Sequence, residues 1–341
     1  MRTQIYDVAE LNEEALRNID VAGKILAEGG LVAFPTETVY GLGANAMNPA
    51  AAADIYLAKG RPSDNPLIVH IADISQLEKL ASGQMEVALA LAEAFWPGPL
   101  TMILPKQKCV PDVTTGGLNT VAVRMPQDAA ALELIRRAGV PVAAPSANLS
   151  GRPSPTAGAH VIQDLFGRVD VILTGNDCRI GIESTILDLT GEKAVVLRPG
   201  LLTPEELGTV LGYIPEIDPG ILKKPGSEEG QNPAPRAPGM KYKHYAPKAP
   251  MEIFSGDPRR VRQAIADKKA AAEAEGKAVG VILFEENAFE RAAHDLFARL
   301  RDMDDRGVDL ILAGAVNDRD SRGFALMNRM LKSAGYRITH V

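Results

Sequence analysis

The sequence predicts an α/β protein in two parts, a larger one on a mixed sheet and a smaller one on a parallel sheet. Three observations carry this. Short apolar runs of strand length alternate with amphipathic helical stretches. In the first two thirds, several such runs follow one another with no helix between them, so the sheet there is mixed rather than purely parallel. Beyond a proline-dense tract the order becomes β-α-β-α-β-α, the layering of a small Rossmann-like parallel unit.

Residues 11–29 give a first helix, with Leu11, Leu16, Ile19, Val21, Ile25 and Leu26 forming roughly one apolar stripe. Gly29-Gly30 stops it, and Leu31–Phe34 reads as a short buried strand. The alternation continues as helix 50–59, strand 67–71, helices 74–81 and 84–95, and strands 100–104 and 120–124. Helix 128–138, strand 141–144, helix 156–166 and strands 169–173, 185–189 and 194–197 complete the first part. Between Pro215 and Pro250 stand eight prolines, a density that no helix or central strand tolerates. That tract reads as an extended linker. After it come strand 251–254, helix 257–275, strand 279–284, helix 286–300, strand 310–313 and a helix near 321–334. The expected boundaries are 1–210, a linker at 211–250, and 251–341. No internal repeat is visible.

At 341 residues, with 46% hydrophobic and 23% charged, the chain is long enough for two well-filled cores. A net charge of −6 argues against a general nucleic-acid binder and leaves room for a local cationic cleft. Cys109 and Cys178 form neither a disulfide framework nor a metal-ligand pair, as suits thiols in a reducing cytosol. No stretch has the length and apolarity of a membrane span, and Met1-Arg2-Thr3-Gln4 lacks a secretory pattern. The chain reads as cytoplasmic.

The most informative segment is Lys59-Gly60-Arg61-Pro62-Ser63-Asp64-Asn65-Pro66. Two cations on a proline-stiffened loop suit a multiply charged anion: Arg offers phosphate a planar fork, Lys a point charge. On this segment alone a solvated basic turn fits equally. In Phe34–Ala46, Gly41-x-Gly43-x-x-Ala46 nominally matches a dinucleotide fingerprint. Six residues separate Phe34 from Gly41 and no acid follows at the required position, so that reading fails. A loop presenting Thr36, Thr38 and backbone to a small polar ligand fits better, with an ordinary turn as the alternative.

Pro145–Ser154 places Ser146, Asn148, Ser150, Arg152 and Ser154 after a strand, where α/β sheets bind ligands; a plain serine-rich turn is the alternative. Arg179–Ile186 and Val195–Gly200 add a Ser184-Thr185 hydroxyl pair and Arg198 at a strand end. Within the linker, Pro238–Pro247 gathers two tyrosines, a histidine and two lysines. That composition suggests a lid over a nucleotide. His70 fits a core histidine as well as a ligand contact. The chain has no P-loop, no His-Glu-x-x-His and no Gly-x-Ser-x-Gly, which disfavours a P-loop kinase, a zinc enzyme and a serine hydrolase.

Together, Pro35-Thr36-Glu37-Thr38-Val39-Tyr40-Gly41-Leu42, Lys59-Gly60-Arg61, Ser146-Ala147-Asn148 and the strap at 238–247 resemble the threonylcarbamoyl-AMP synthase family in its two-domain form. The likeness is most specific over 29–200 and the strap. It implies a YrdC-like twisted mixed sheet with a concave ligand cleft, and a Rossmann-like accessory domain after 250. It implies a nucleotidyltransferase that makes threonylcarbamoyl-AMP and pyrophosphate from L-threonine, bicarbonate and ATP, for modifying tRNA beside the anticodon. Carried over by position, threonine would meet Thr38, His70, Arg124 and Ser184. ATP would meet Lys59, Arg61, Asn65, Thr120, Ser146, Asn148, Ser154, Arg198 and Tyr245, with Lys59 and Arg61 neutralising charge in catalysis. Mg2+ would come with ATP, near Ser146 and Asn148. The product would pass to tRNA threonylcarbamoyl-transferase machinery, with a weak RNA contact at most and no membrane. Two rivals remain at this stage. One is an RNA-binding module, which the acidic charge weighs against. The other is a carbamoyl-phosphate-using hydrogenase maturation factor, whose cysteine-rich zinc modules are not visible in this sequence.

Overall fold

The computed structural model describes residues 2–221, 236–238, 244–285, 288–318 and 320–341. An eleven-stranded mixed sheet carries the larger part and a separate four-stranded parallel sheet the smaller, as the sequence predicts. Half of the strap that the sequence singles out, residues 239–243, lies outside the described residues.

The chain opens on β1 (Gln4–Asp7), four residues too short to announce themselves by periodicity. It pairs parallel with β8 (Val171–Thr174). α1 (Glu13–Ala27) starts at Asn12, whose Oδ1 accepts the Ala15 amide at 3.0 Å. β2 (Val32–Phe34) and β3 (Gly41–Asn45) then pair antiparallel. The sequence reading makes this segment a ligand-facing loop with glycines for close approach; Gly43, however, lies within β3. A Cβ at Gly43 would stand 2.8 Å from Val142 Cγ1 and 2.9 Å from Phe34 Cε1, so that glycine serves close sheet packing.

α2 (Pro49–Lys59) is capped by Asn48 and closes at Gly60 with φ 62°. A left-handed residue turns the chain out of the helix there, so Lys59 ends α2 and Arg61 begins the loop beyond the turn. β4 (Ile68–His70), α3 (Leu77–Leu80), α4 (Met85–Phe95), β5 (Leu100–Pro105) and β6 (Thr120–Arg124) follow. Then come α5 (Ala129–Ala138), β7 (Val142–Ala143), α6 (Gly158–Leu165), β8, β9 (Thr185–Asp188) and β10 (Val195–Arg198). The strand order is β1-β8-β2-β3-β7-β4-β6-β5-β9-β10-β11. β11 (Glu216–Ile217) follows α7 (Pro204–Leu211) and pairs with β10, so the large sheet reaches past residue 210 into the tract read as linker. One face of the sheet packs α1 and α5 through Ile19, Leu26, Leu134 and Ile135; the other buries Leu42, Val69, Leu91 and Met102.

The smaller part runs β12 (Met251–Ser255), α8 (Pro258–Ala274), β13 (Val279–Ile282), α9 (Phe289–Asp305), β14 (Leu310–Gly314), α10 (Ser321–Ser333) and β15 (Ile338–His340). Its strands are all parallel, in the order β13-β14-β12-β15. β15 is not foreseen in the sequence reading, and α9 lies several residues later than the helix expected at 286–300. The two parts meet closely. Gly181 has φ +80°, and a Cβ on it would stand 2.4 Å from His294 Cα in α9.

Candidate active site

Strand and helix ends converge on a cleft in the larger part. β4 and β6 run parallel with His70 opposite Arg124, so both side chains leave the sheet at the same carboxyl edge. β10 brings Arg198 and the turn after α2 brings Arg61. Ser146 follows β7, bridged to Gly41. A cavity of about 60 Å³ lies among them, lined also by Thr38, Glu183, Pro238, His244 and Tyr245.

Three cations, Lys59 and Arg198 buried and Arg61 half-buried, stand at the cleft without a carboxylate in ion-pair contact among the described residues. Lys59 Nζ donates to the carbonyls of Ser146 and Asn148, with Asn148 Oδ1 at 3.5 Å. Arg61 Nε donates to Asn65 O at 3.3 Å and Nη2 to Pro66 O at 3.0 Å. Arg198 Nε donates to Ser184 O and Nη2 to Ser184 Oγ, both at 3.0 Å. Burial, then neighbouring charge, pulls Lys59 well below the ordinary lysine value. Burial likewise brings Arg61 and Arg198 down to about 10. Buried cations held by neutral dipoles alone are costly, and an arriving polyanion stabilises them.

Beside them stands a pair of opposite charges. Arg124 Nη1 donates to Thr38 Oγ1 at 2.9 Å, and its Nη2 lies 2.8 Å from Glu37 Oε1. That second contact lacks hydrogen-bond alignment, so both Glu37 carboxylate oxygens and Arg124 Nη2 are buried without an aligned partner. His70 Nδ1 lies 3.1 Å from Ile68 O, and burial followed by the Arg124 charge brings it down to about 3, which keeps the imidazole neutral.

Lys59 does not itself line the cavity but stands behind Ser146, which does, and the remaining residues expected in the site do not line it either. Ser184 has no exposed surface and sits behind Arg198, with its Oγ 2.8 Å from Thr101 Oγ1. Ser154 Oγ donates to Glu183 Oε1 at 2.6 Å. Asn65 Oδ1 is buried with no partner. Asn148 takes a 2.5 Å bond from Ser146 Oγ and spends its amide on Leu149 O and Arg152 O. Thr120 starts β6, at the opposite end of that strand from Arg124.

The Ser146–Asn148 corner offers no carboxylate, and the Lys59 ammonium rests on its oxygens. That donor set does not fit a magnesium ion held by the protein, which favours anionic oxygens. Among the described residues no group of three or more His, Cys, Asp or Glu is placed to hold a metal. None of their helices is long and apolar enough to cross a membrane.

The sequence reading assigns no role to Glu37, Glu183, Arg301 or Arg329, and His244 enters it only as part of the strap read as a lid. Glu37 and Glu183 lie inside the quoted motifs, and a lone carboxylate within a hydroxyl-rich segment was the available signal. The two arginines carry none, because their partners are more than a hundred residues away. His244 is half-buried at the cleft, with its Nε2 buried and unpartnered, and desolvation holds it well below the usual histidine value. Tyr245 takes φ 62° and lays its ring 5.1 Å from that of Phe297, while burial pushes its hydroxyl up to about 12.

Residues 24–200 match the family model described as "Telomere recombination", and residues 202–335 match "Threonylcarbamoyl-AMP synthase, C-terminal domain". Threonylcarbamoyl-AMP synthase of Pyrococcus abyssi is 48% identical, over 99% of this chain and 100% of that one. The chain belongs to the threonylcarbamoyl-AMP synthase family. The Bacillus subtilis synthase is also 48% identical, over 99% of each chain. A solved structure of P. abyssi Sua5 complexed with L-threonine matches with TM-score 0.91 at 46% identity, covering 100% of both chains. The chain is thus a synthase of nucleotidyltransferase type, with the YrdC-like first domain and accessory second domain that the motifs imply.

Proposed function

We propose that this cleft joins L-threonine, bicarbonate and ATP into threonylcarbamoyl-AMP, pyrophosphate and water. The triphosphate lies against Lys59, Arg61 and Arg198, and the amino acid against Thr38, His70 and Arg124. One observation carries this: Arg61 and Arg198 line one cavity, Lys59 stands behind its Ser146 wall, and neutral oxygens hold all three cations. The adjoining Arg124–Glu37 pair offers both signs of charge to a zwitterionic amino acid. Ser184, Ser154 and Asn148 act from behind, fixing Arg198, Glu183 and Lys59 respectively.

Threonine's amine adds to bicarbonate, giving a carbamate and water. A carbamate oxygen then forms a bond to the α-phosphorus as the bond to the β-phosphate oxygen breaks, and pyrophosphate leaves with the electron pair. The nucleophile belongs to the substrate, so the protein's task is to position the reactants and neutralise charge. Neutral His70 can accept a hydrogen bond from the threonine hydroxyl or amine. Mg2+ would arrive on the triphosphate rather than be held by the chain.

The cavity of about 60 Å³ is far below the roughly 300 Å³ of a small-molecule site. Tyr245 and His244 line it, so these two side chains must withdraw for ATP to enter, as part of a lid does. The product serves the modification of adenosine beside the anticodon, through a transferase that accepts the adenylate. Mass spectrometry of the chain with ATP, threonine and bicarbonate tests this reading. Threonylcarbamoyl-AMP must form only when all three are present. Release of AMP and pyrophosphate without threonine would overturn it.

A further inference from the structure

A cavity of about 650 Å³ lies in the smaller domain, at the carboxyl ends of its strands. From β12 the chain turns at Gly256 into α8, which packs with Phe254 and Leu312 through Val261 and Ile265. From β14 the chain passes to α10, which packs on the opposite face with Ile253, Ile311 and Ala313. β12 and β14 are neighbours, so adjacent strands send their chains to opposite faces. A crevice opens between such strands, and it is the place where parallel sheets take ligands.

The lining indicates the ligand's chemistry. Phe284, Phe289, Leu326 and Met327 give apolar and aromatic surface for a flat ring. Among the described residues the charged side chains of the lining are Arg262 against Glu285, Asp318 and Asp320, an excess of negative charge. Three helices start at the crevice, and at two of their N-termini, those of α8 and α10, the place of a phosphate is already held by carboxylates of the chain itself, while α9 begins at Ala288 without a side-chain cap. Asp257 Oδ1 accepts the Arg259 amide at 3.0 Å, and Asp320 Oδ1 accepts the Gly323 amide at 2.7 Å. Carboxylates at a crevice suit hydroxyl donors such as a ribose diol. Ser255 Oγ and His340 Nδ1, 2.6 Å apart, add a polar wall.

We infer that this crevice is a second small-molecule site, separate from the synthase cleft, and that it takes an unphosphorylated nucleoside in preference to a nucleotide. The ring stacks on the apolar side and the sugar hydroxyls meet the carboxylates. Nothing in this assignment depends on what the cleft of the larger domain binds.

Saturation-transfer NMR on the full chain tests it, with adenosine, guanosine, cytidine and uridine as probes under saturating ATP, which occupies the cleft. At least one nucleoside should receive saturation, its monophosphate at least tenfold less. Val316→Trp, which fills the crevice, and Asp318→Asn, at its exposed rim, should each weaken binding about tenfold while synthase turnover is retained. Asp318→Asn keeps the test decisive should Val316→Trp fail to fold. The inference falls if no nucleoside binds, if ATP displaces the one that does, if the monophosphate binds as well, or if folded variants bind unchanged. Loss of synthase activity in the wild-type preparation would instead count against the reading of the cleft.

Discussion

Arg329 of the smaller domain reaches Glu183 of the larger, Nε to Oε2 at 3.1 Å, with both side chains buried. Its guanidinium also meets the Pro199 carbonyl. Burial pushes the Glu183 carboxyl up, but the charges of Arg329 and Arg198 and the Ser154 hydroxyl outweigh it, so the net shift is downward. Arg301 makes a second bridge of this kind, donating to Asp164 Oδ2 at 2.9 Å and to Pro153 O at 2.7 Å. The accessory domain thus braces two of the segments that frame the cleft, at Pro153 and Asp164 and at Glu183 and Pro199.

Removing one partner of such a pair leaves a buried charge uncompensated. Arg329→Ala should therefore destabilise the protein by about 3–5 kcal/mol. Arg329→Lys should recover part of that, since Lys keeps the charge and loses the fork. Chemical denaturation of the two variants checks the order.

The three cleft cations predict the opposite for stability. Each is held by neutral oxygens, so Arg61→Met or Lys59→Met should leave the melting temperature unchanged or raise it. Turnover should fall roughly 10²–10³-fold, as on losing one transition-state donor. Thermal unfolding and pyrophosphate release, measured on the same preparations, separate the two effects.

His70 makes stability depend on pH. Its folded value is about 3, against 6.5 for the free side chain. Between those values the unfolded chain binds a proton that the folded one does not, so stability falls as pH drops below about 6.5. His160, brought down to about 4 by burial and the Arg301 charge, has the same sign. His70→Gln should flatten the loss between pH 6 and 4 by up to roughly 1.4 kcal/mol per pH unit. Denaturation midpoints across that range report it.

Cutting the chain after Ile221 tests the bracing. This point lies beyond β11, so the large sheet stays whole. The fragment should fold by circular dichroism and synthesise far more weakly, because Arg301, Arg329 and the strap are gone. Full activity would show that the second domain and its linker serve only as a tether.

Much of the site was legible because its residues sit where chain grammar is strong. Gly60 ends a helix, which separates Lys59 from Arg61. His70, Arg124 and Arg198 end strands. Gly43 misled, because close packing and ligand approach make the same demand on sequence, whereas Gly41 lines the cleft cavity. β1, β11 and β15 hold two to four residues each, too few for a period to show. The interdomain pairs Arg329–Glu183 and Arg301–Asp164 join residues more than a hundred positions apart, and no local pattern encodes them.

Calorimetric titration of ATP into the wild-type chain and Arg198→Ala bears most directly on the claim that buried cations hold the triphosphate. Affinity should fall at least tenfold in the variant, with its fold intact. Equal affinity in both would contradict the account.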